Sequence, residues 1–202
     1  IPQQYSTAYD LVMNGDTMHQ YELFTLLNHD LKQAIEDKRL TVASVAPFYK
    51  FKEYSPDKQL PLLPIDTIAP LWNRKSVTLE DVRLESLRGQ VVLIDFFYKS
   101  CYPCMKALPD LEELHQKYGG KGLKVIGMDP YDKPEDNMSA FLAARSVTYT
   151  VVYAEKEDAL AYRVSGYPTM YLIDKKGRIA LVEYGFSDNS KSKLEAAILK
   201  LL

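Results

Sequence analysis

The segment Val91-Val92-Leu93-Ile94-Asp95-Phe96-Phe97 constrains the fold of this 202-residue chain more than any other. It is apolar almost throughout, so it cannot alternate between a dry face and a wet one. Such a run reads as a strand covered on both sides. Cys101-Tyr102-Pro103-Cys104 follows closely, and Met105, Leu108, Leu111, Leu114 and Tyr118 then recur at helical spacing until Gly119-Gly120 ends the pattern. A buried strand therefore leads into two cysteines that open a helix.

The remaining pattern supplies the covering layers. Val77-Thr78-Leu79 reads as a short strand, Leu84 to Gly89 as a turn region, and Leu123 to Met128 as a second buried strand. Asp132, Pro134 and Glu135 start a helix predicted to run to about Arg145; Tyr149 to Tyr153 reads as extended and Glu155 to Tyr162 as helical. Thr169 to Ile173 and Ile179 to Tyr184 form a hairpin around the polar turn Asp174-Lys175-Lys176-Gly177-Arg178. Leu194, Ala197, Ile198 and Leu201 mark a closing helix. The alternation implies an α/β fold with a mixed sheet flanked by helices.

Residues 1–60 have a different texture and are expected to form a helical region and linker ahead of a domain at 61–202. Tyr21, Phe24, Leu27, Leu31 and Ile35 fit a helical stripe, which either packs on the neighbouring domain or forms a partner-binding face. Pro56, Pro61, Pro64 and Pro70 punctuate the join. The chain opens on Ile1 rather than Met, which points to processing or to a piece of a longer chain, with an upstream signal, anchor or domain left open.

The two cysteines are the only ones present. A bond between them would close too short a loop to restrict the unfolded chain much, so their purpose is chemical rather than structural. At the start of a helix the first backbone N–H groups are unpaired and positive, which stabilises a thiolate. Lowering a thiol pKa from about 8.5 to about 7 takes about 2 kcal/mol, and the helix dipole supplies only about 0.3 to 1 kcal/mol of it. Direct hydrogen bonds to the sulfur, including one from the Cys104 thiol, must add the rest. Cys101 is the natural nucleophile. Pro103 is tolerated because its missing N–H would be unpaired there anyway, whereas Pro109 should kink the helix.

The formal net charge is −2 with both signs interspersed, so nothing in the charge pattern suggests binding to nucleic acid or an anionic membrane. No apolar stretch approaches bilayer-spanning length. A zinc site would need two ligands beyond the cysteines, and His19, His29 and His115 have no paired spacing. No metal or organic cofactor is expected.

The order of motifs, from Val91–Phe97 through Cys101-Tyr102-Pro103-Cys104 and Pro109 to Gly166-Tyr167-Pro168-Thr169 before a hairpin, resembles the thioredoxin superfamily. Ala69-Pro70 and Leu84-Glu85-Ser86-Leu87-Arg88-Gly89-Gln90 are similar to its extracytoplasmic TlpA/ResA-like branch of thiol-disulfide oxidoreductases. The resemblance covers about residues 65 to 202.

It implies catalysis by Cys101 and Cys104, with Asp95 as the buried carboxylate that takes a proton from Cys104; the alternative for Asp95 is a solvent-facing strand residue. It also implies a cis Tyr167-Pro168 bond whose backbone pairs with an incoming substrate segment, against the alternative of a trans proline opening an edge strand. Tyr102, Pro103, Tyr167 and Phe97 would add apolar surface for binding. Ala107 stands where that branch commonly has Glu, which leaves Asp95 as the only carboxylate base. Protein disulfides or dithiols and a separate redox partner are the implied partners, and the location is extracytoplasmic. The resemblance favours reduction of protein disulfides over their oxidation; competing readings are a peroxiredoxin-like thiol peroxidase and a non-catalytic partner-binding module, and oligomeric state stays open.

Overall fold

The computed structural model describes residues 61–202 in full and, ahead of them, the backbone of two strands, Gln3–Met13 and Asp16–Leu26. The chain separates into two units, residues 1–55 and 56–202.

In the first unit the described segments form a β-hairpin, not the expected helix: β1 (Gln3–Met13) pairs antiparallel with β2 (Asp16–Leu26), from Gln3↔Leu26 to Met13↔Asp16. The physical signal is Asn14-Gly15 between two runs that carry Tyr and Thr, a strong hairpin marker that outweighs the helical spacing of Tyr21 and Phe24. Leu27, Leu31 and Ile35 lie outside the described residues.

The second unit is built on a five-stranded mixed sheet. Its strands are β5 (Val91–Phe96), β6 (Leu123–Asp129), β7 (Thr150–Tyr153), β8 (Thr169–Ile173) and β9 (Ile179–Tyr184), in the order β7-β6-β5-β8-β9. β5, β6 and β7 run parallel, and β8 and β9 are antiparallel to their neighbours. β5 is therefore central, and all six of its residues are buried, as its unbroken apolar run demands.

The sheet divides two cores. Val91, Leu93 and Phe97 face α1 (Tyr102–Tyr118), α2 (Met138–Ala143) and α4 (Ser190–Leu201) through Leu108, Leu111, Met138, Leu194 and Ile198. Val92, Ile94 and Phe96 face the opposite way, against Leu63, Trp72, Leu84 and Tyr162, with α3 (Lys156–Ala161) contributing Ala159. Among the described residues this is the thioredoxin-like arrangement of helices on both faces of a mixed sheet.

Two boundaries differ from expectation. Val77-Thr78-Leu79 is not a strand but the turn between two short strands, β3 (Asn73–Lys75) and β4 (Asp81–Arg83). The Ser76 hydroxyl accepts hydrogen bonds from the N–H groups of Thr78 and Glu80, at 3.2 and 3.1 Å, and so wins these residues for a turn. The helix expected from Asp132 to Arg145 is shorter and preceded by a 3-10 turn at Pro134–Asp136. Asn137, at φ 53°, breaks the run and caps α2 with its side chain. Arg74 in β3 clamps the start of α3 by bonding both carboxylate oxygens of Asp158, at 2.6 and 3.0 Å.

Candidate active site

The end of β5 delivers the chain to the site. After Phe97, the carbonyl of Tyr98 accepts the Cys101 N–H at 3.1 Å, and Cys101, in extended conformation at φ −83° and ψ 102°, is the N-cap of α1. The Cys104 N–H points back at the Cys101 sulfur, 3.2 Å away. Cys101 and Cys104 are joined by a disulfide. In this disulfide form the Cys104 backbone amide donates to the Cys101 sulfur, while the Cys104 thiol, the donor expected from the sequence, is taken up in the bond. α1 continues on both sides of Pro109.

The sequence suggests an exposed attacking cysteine and a shielded one. The structure does not leave Cys101 exposed: it is only 4% exposed and Cys104 is fully buried, because both pack into the core cluster that α1 forms with β5. Tyr102 is 70% exposed beside them, with the Lys106 ammonium 4.9 Å from its ring centroid. Phe97, expected to add binding surface, is wholly buried and instead packs in the core under α1.

Asp95 does not face solvent; it is fully buried. Alternation along β5 puts it on the face of Leu93 and Phe97, the layer that also holds Cys104 and Ala107. Among the described residues neither of its oxygens has a hydrogen-bond partner, and burial alone pushes its carboxyl up to about 8. Ala107, where the resemblance leads to the expectation of a Glu, is buried and offers no charge. Tyr149, also buried with an unbonded hydroxyl, has its phenol held well above the usual range, first by burial and then by the carboxylates of Asp95 and Glu112.

The Tyr167-Pro168 peptide bond is cis. Phe96 pairs with Thr169, so Pro168 lies at the end of the sheet from which the cysteine loop departs. The Pro168 carbonyl accepts the Gly185 N–H at 2.9 Å, and the Thr169 hydroxyl donates to the Gly166 carbonyl at 2.7 Å. Among the described residues no backbone group pairs with the N–H or C=O of Tyr167. The structure thus brings Cys101, Cys104, Tyr102, Pro103, Tyr167 and Pro168 to one end of the sheet, with Asp95 beneath α1.

Sequence reasoning missed a second buried carboxylate. Asp129, the last residue of β6, accepts the N–H groups of Tyr131 and Asp132 at 2.9 Å each, and burial is the main reason its carboxyl sits above the ordinary range. Asp132 in turn accepts the Lys99 N–H at 2.8 Å, tying this loop to the one that leads into Cys101. The available signal was an acid ending an apolar run just before Pro130. No group of His, Cys, Asp and Glu among the described residues could hold a metal ion.

A cysteine pair that forms a disulfide at a helix start, on a thioredoxin-like sheet and beside a cis-proline, defines a thiol-disulfide oxidoreductase. Known proteins agree with this class. A crystal structure of a Chlorobium tepidum protein described as thiol:disulfide interchange protein DsbE superposes with a TM-score of 0.64 at 33% identity, covering 69% of this chain and 98% of that one. Thioredoxin-like protein YneN of Bacillus subtilis is 29% identical over 118 residues, which is 58% of this chain and 69% of YneN. Thiol-disulfide oxidoreductase ResA of Bacillus thuringiensis is 26% identical over 163 residues, 80% of this chain and 91% of ResA. The chain belongs to the AhpC/TSA family, whose family model matches residues 65–182.

Proposed function

We propose that this protein reduces disulfides in polypeptide substrates, with the chemistry carried by residues 61–202. The Cys101 thiolate attacks one sulfur of the substrate disulfide and releases the other as a thiolate, forming a mixed disulfide. Cys104 then gives its proton to the Asp95 carboxylate, attacks the Cys101 sulfur and releases the second substrate thiolate. The substrate gains two electrons, and the protein is left with the Cys101–Cys104 disulfide and a protonated Asp95. A second redox partner returns the dithiol state.

The observation that carries this reading is the Cys101–Cys104 disulfide at the N-terminus of α1, with the Cys104 N–H directed at the Cys101 sulfur. The backbone of Tyr167, unpaired among the described residues, supports an extended polypeptide as substrate, since it offers strand-like hydrogen bonds beside the reacting sulfur. The resemblance to the TlpA/ResA-like branch supports work outside the cytoplasm in keeping thiols in balance. No described helix is long and apolar enough to cross a membrane.

Cys104→Ser is expected to accumulate a mixed disulfide through Cys101 with a cystine peptide, detected as an adduct by mass. A dithiol potential below about −150 mV is expected for a reductant, and a higher one would overturn the direction. Rapid peroxide consumption that survives Cys104→Ser would replace the whole reading with a thiol peroxidase.

A further inference from the structure

Three tyrosines from three separate segments meet beside the dithiol. Tyr98 follows β5, Tyr131 follows β6 and Tyr167 precedes the cis-proline. Their ring centroids lie 5.1 Å apart for Tyr98 and Tyr131, 5.3 Å for Tyr98 and Tyr167, and 5.5 Å for Tyr131 and Tyr167, each pair edge to face. Edge-to-face contacts hold the rings in mutually fixed orientations. The cluster is nevertheless open to solvent: Tyr131 is 53% exposed, and Tyr98 and Tyr167 are only half-buried.

Its position decides what can cover it. The Tyr98 carbonyl holds the Cys101 N–H, and the N–H and C=O of Tyr167, unpaired among the described residues, can meet an extended backbone. A segment that lays a cysteine against Cys101 and runs along Tyr167 therefore brings its neighbouring side chains over these rings. Asp129 holds the third ring in place by accepting the Tyr131 N–H, and Asp132 links the same loop to Lys99. A solvated aromatic surface held together this way beside a reaction centre suits an apolar or aromatic side chain.

We infer that Tyr98, Tyr131 and Tyr167 form a specificity subsite that takes a large apolar or aromatic side chain flanking the reactive cysteine of an extended polypeptide substrate. The inference rests on the oxidoreductase reading above and adds to it a choice among substrates. Tyr131 is its distinguishing member, because neither the dithiol nor the cis-proline segment contains it.

The test uses the full chain and two cystine peptides identical except that Phe flanks the reactive cysteine on both sides in one and Ser in the other. Wild type is expected to favour the Phe peptide by about tenfold in kcat/KM. Tyr131→Ala is expected to bring that ratio to within about twofold of one, and Tyr131→Phe to retain it. No preference in wild type, or a preference unchanged in Tyr131→Ala, overturns the subsite. A merely structural role for Tyr131 would slow both peptides equally and leave the ratio intact, which also overturns it. If wild type reduces neither peptide, the oxidoreductase reading fails and the subsite with it, an outcome distinct from equal reduction of both.

Discussion

Asp95 stands opposite Gly127 in the parallel ladder of β5 and β6, and two aromatic rings occupy the space that a side chain at Gly127 would need. A Cβ there would come within 2.8 Å of the Phe97 ring and 3.4 Å of the Tyr149 ring. The rings thus close over the strand beside Asp95 and help keep its carboxyl dry. Gly127→Ala must push the Phe97 ring aside in a packed core, with an expected cost of about 1–3 kcal/mol in urea unfolding. A variant as stable as wild type would show that the rings are free to yield.

The buried Asp95 carboxyl makes stability depend on pH in a definite direction. Its pKa is raised to about 8 in the folded protein, while the unfolded chain has an ordinary carboxyl near 4. Between those values the native state keeps a proton that the unfolded state releases, so its stabilising effect is complete below about pH 4 and is lost as pH rises through 8. Oxidised wild type is expected to lose about 3–4 kcal/mol relative to Asp95→Asn between pH 5 and pH 8, as an upper limit of about 1.4 kcal/mol per unit. Urea titrations at the two pH values check this; parallel behaviour of the two proteins would mean that Asp95 is ionised throughout.

The same proton has a kinetic signature. When an external thiol opens the Cys101–Cys104 disulfide at Cys101, Cys104 leaves as a thiolate, and a neutral Asp95 can donate a proton to it. That donor is present below about pH 8 and absent above it. The ratio of wild-type to Asp95→Asn reduction rates cancels the ionisation of the external thiol. It is expected to be about tenfold or more at pH 6.5 and to approach one above about pH 9. A ratio that does not change with pH would remove Asp95 from the proton transfer.

The parts of this fold that were legible in the sequence are those with a period of their own. β5 reads as a continuous apolar run, α1 as a stripe from Leu108 to Tyr118, and β8 and β9 match their expected limits of Thr169–Ile173 and Ile179–Tyr184. β3 and β4 span three residues each, too few to carry a period, and the Ser76 hydroxyl, not propensity, decides the turn between them. At β1 and β2 two signals competed, and the helical spacing of Tyr21 and Phe24 masked the Asn14-Gly15 marker. Cys101, Cys104 and Pro168 announce themselves as motifs. Tyr131 and Tyr149 do not, because each matters only through residues far away in sequence: Tyr131 meets Tyr98 and Tyr167, and Tyr149 lies over Gly127.

Asp129 offers a test of how the loop beside the dithiol is held. One of its oxygens accepts both the Tyr131 and the Asp132 N–H, and Asp132 passes the restraint to Lys99, two residues before Cys101. Asp129→Ala leaves both amides without that acceptor, at an expected cost of about 1–3 kcal/mol of stability. The loss should be local as well as global: hydrogen exchange at Tyr131, Asp132 and Lys99 is expected to speed up more than exchange at β5 amides, which report global opening. The loop lies outside the sheet's ladder, so a purely global effect would raise all these rates together. Equal acceleration at β5 and at Lys99 would therefore show that Asp129 supports the fold as a whole and not the loop that presents Cys101.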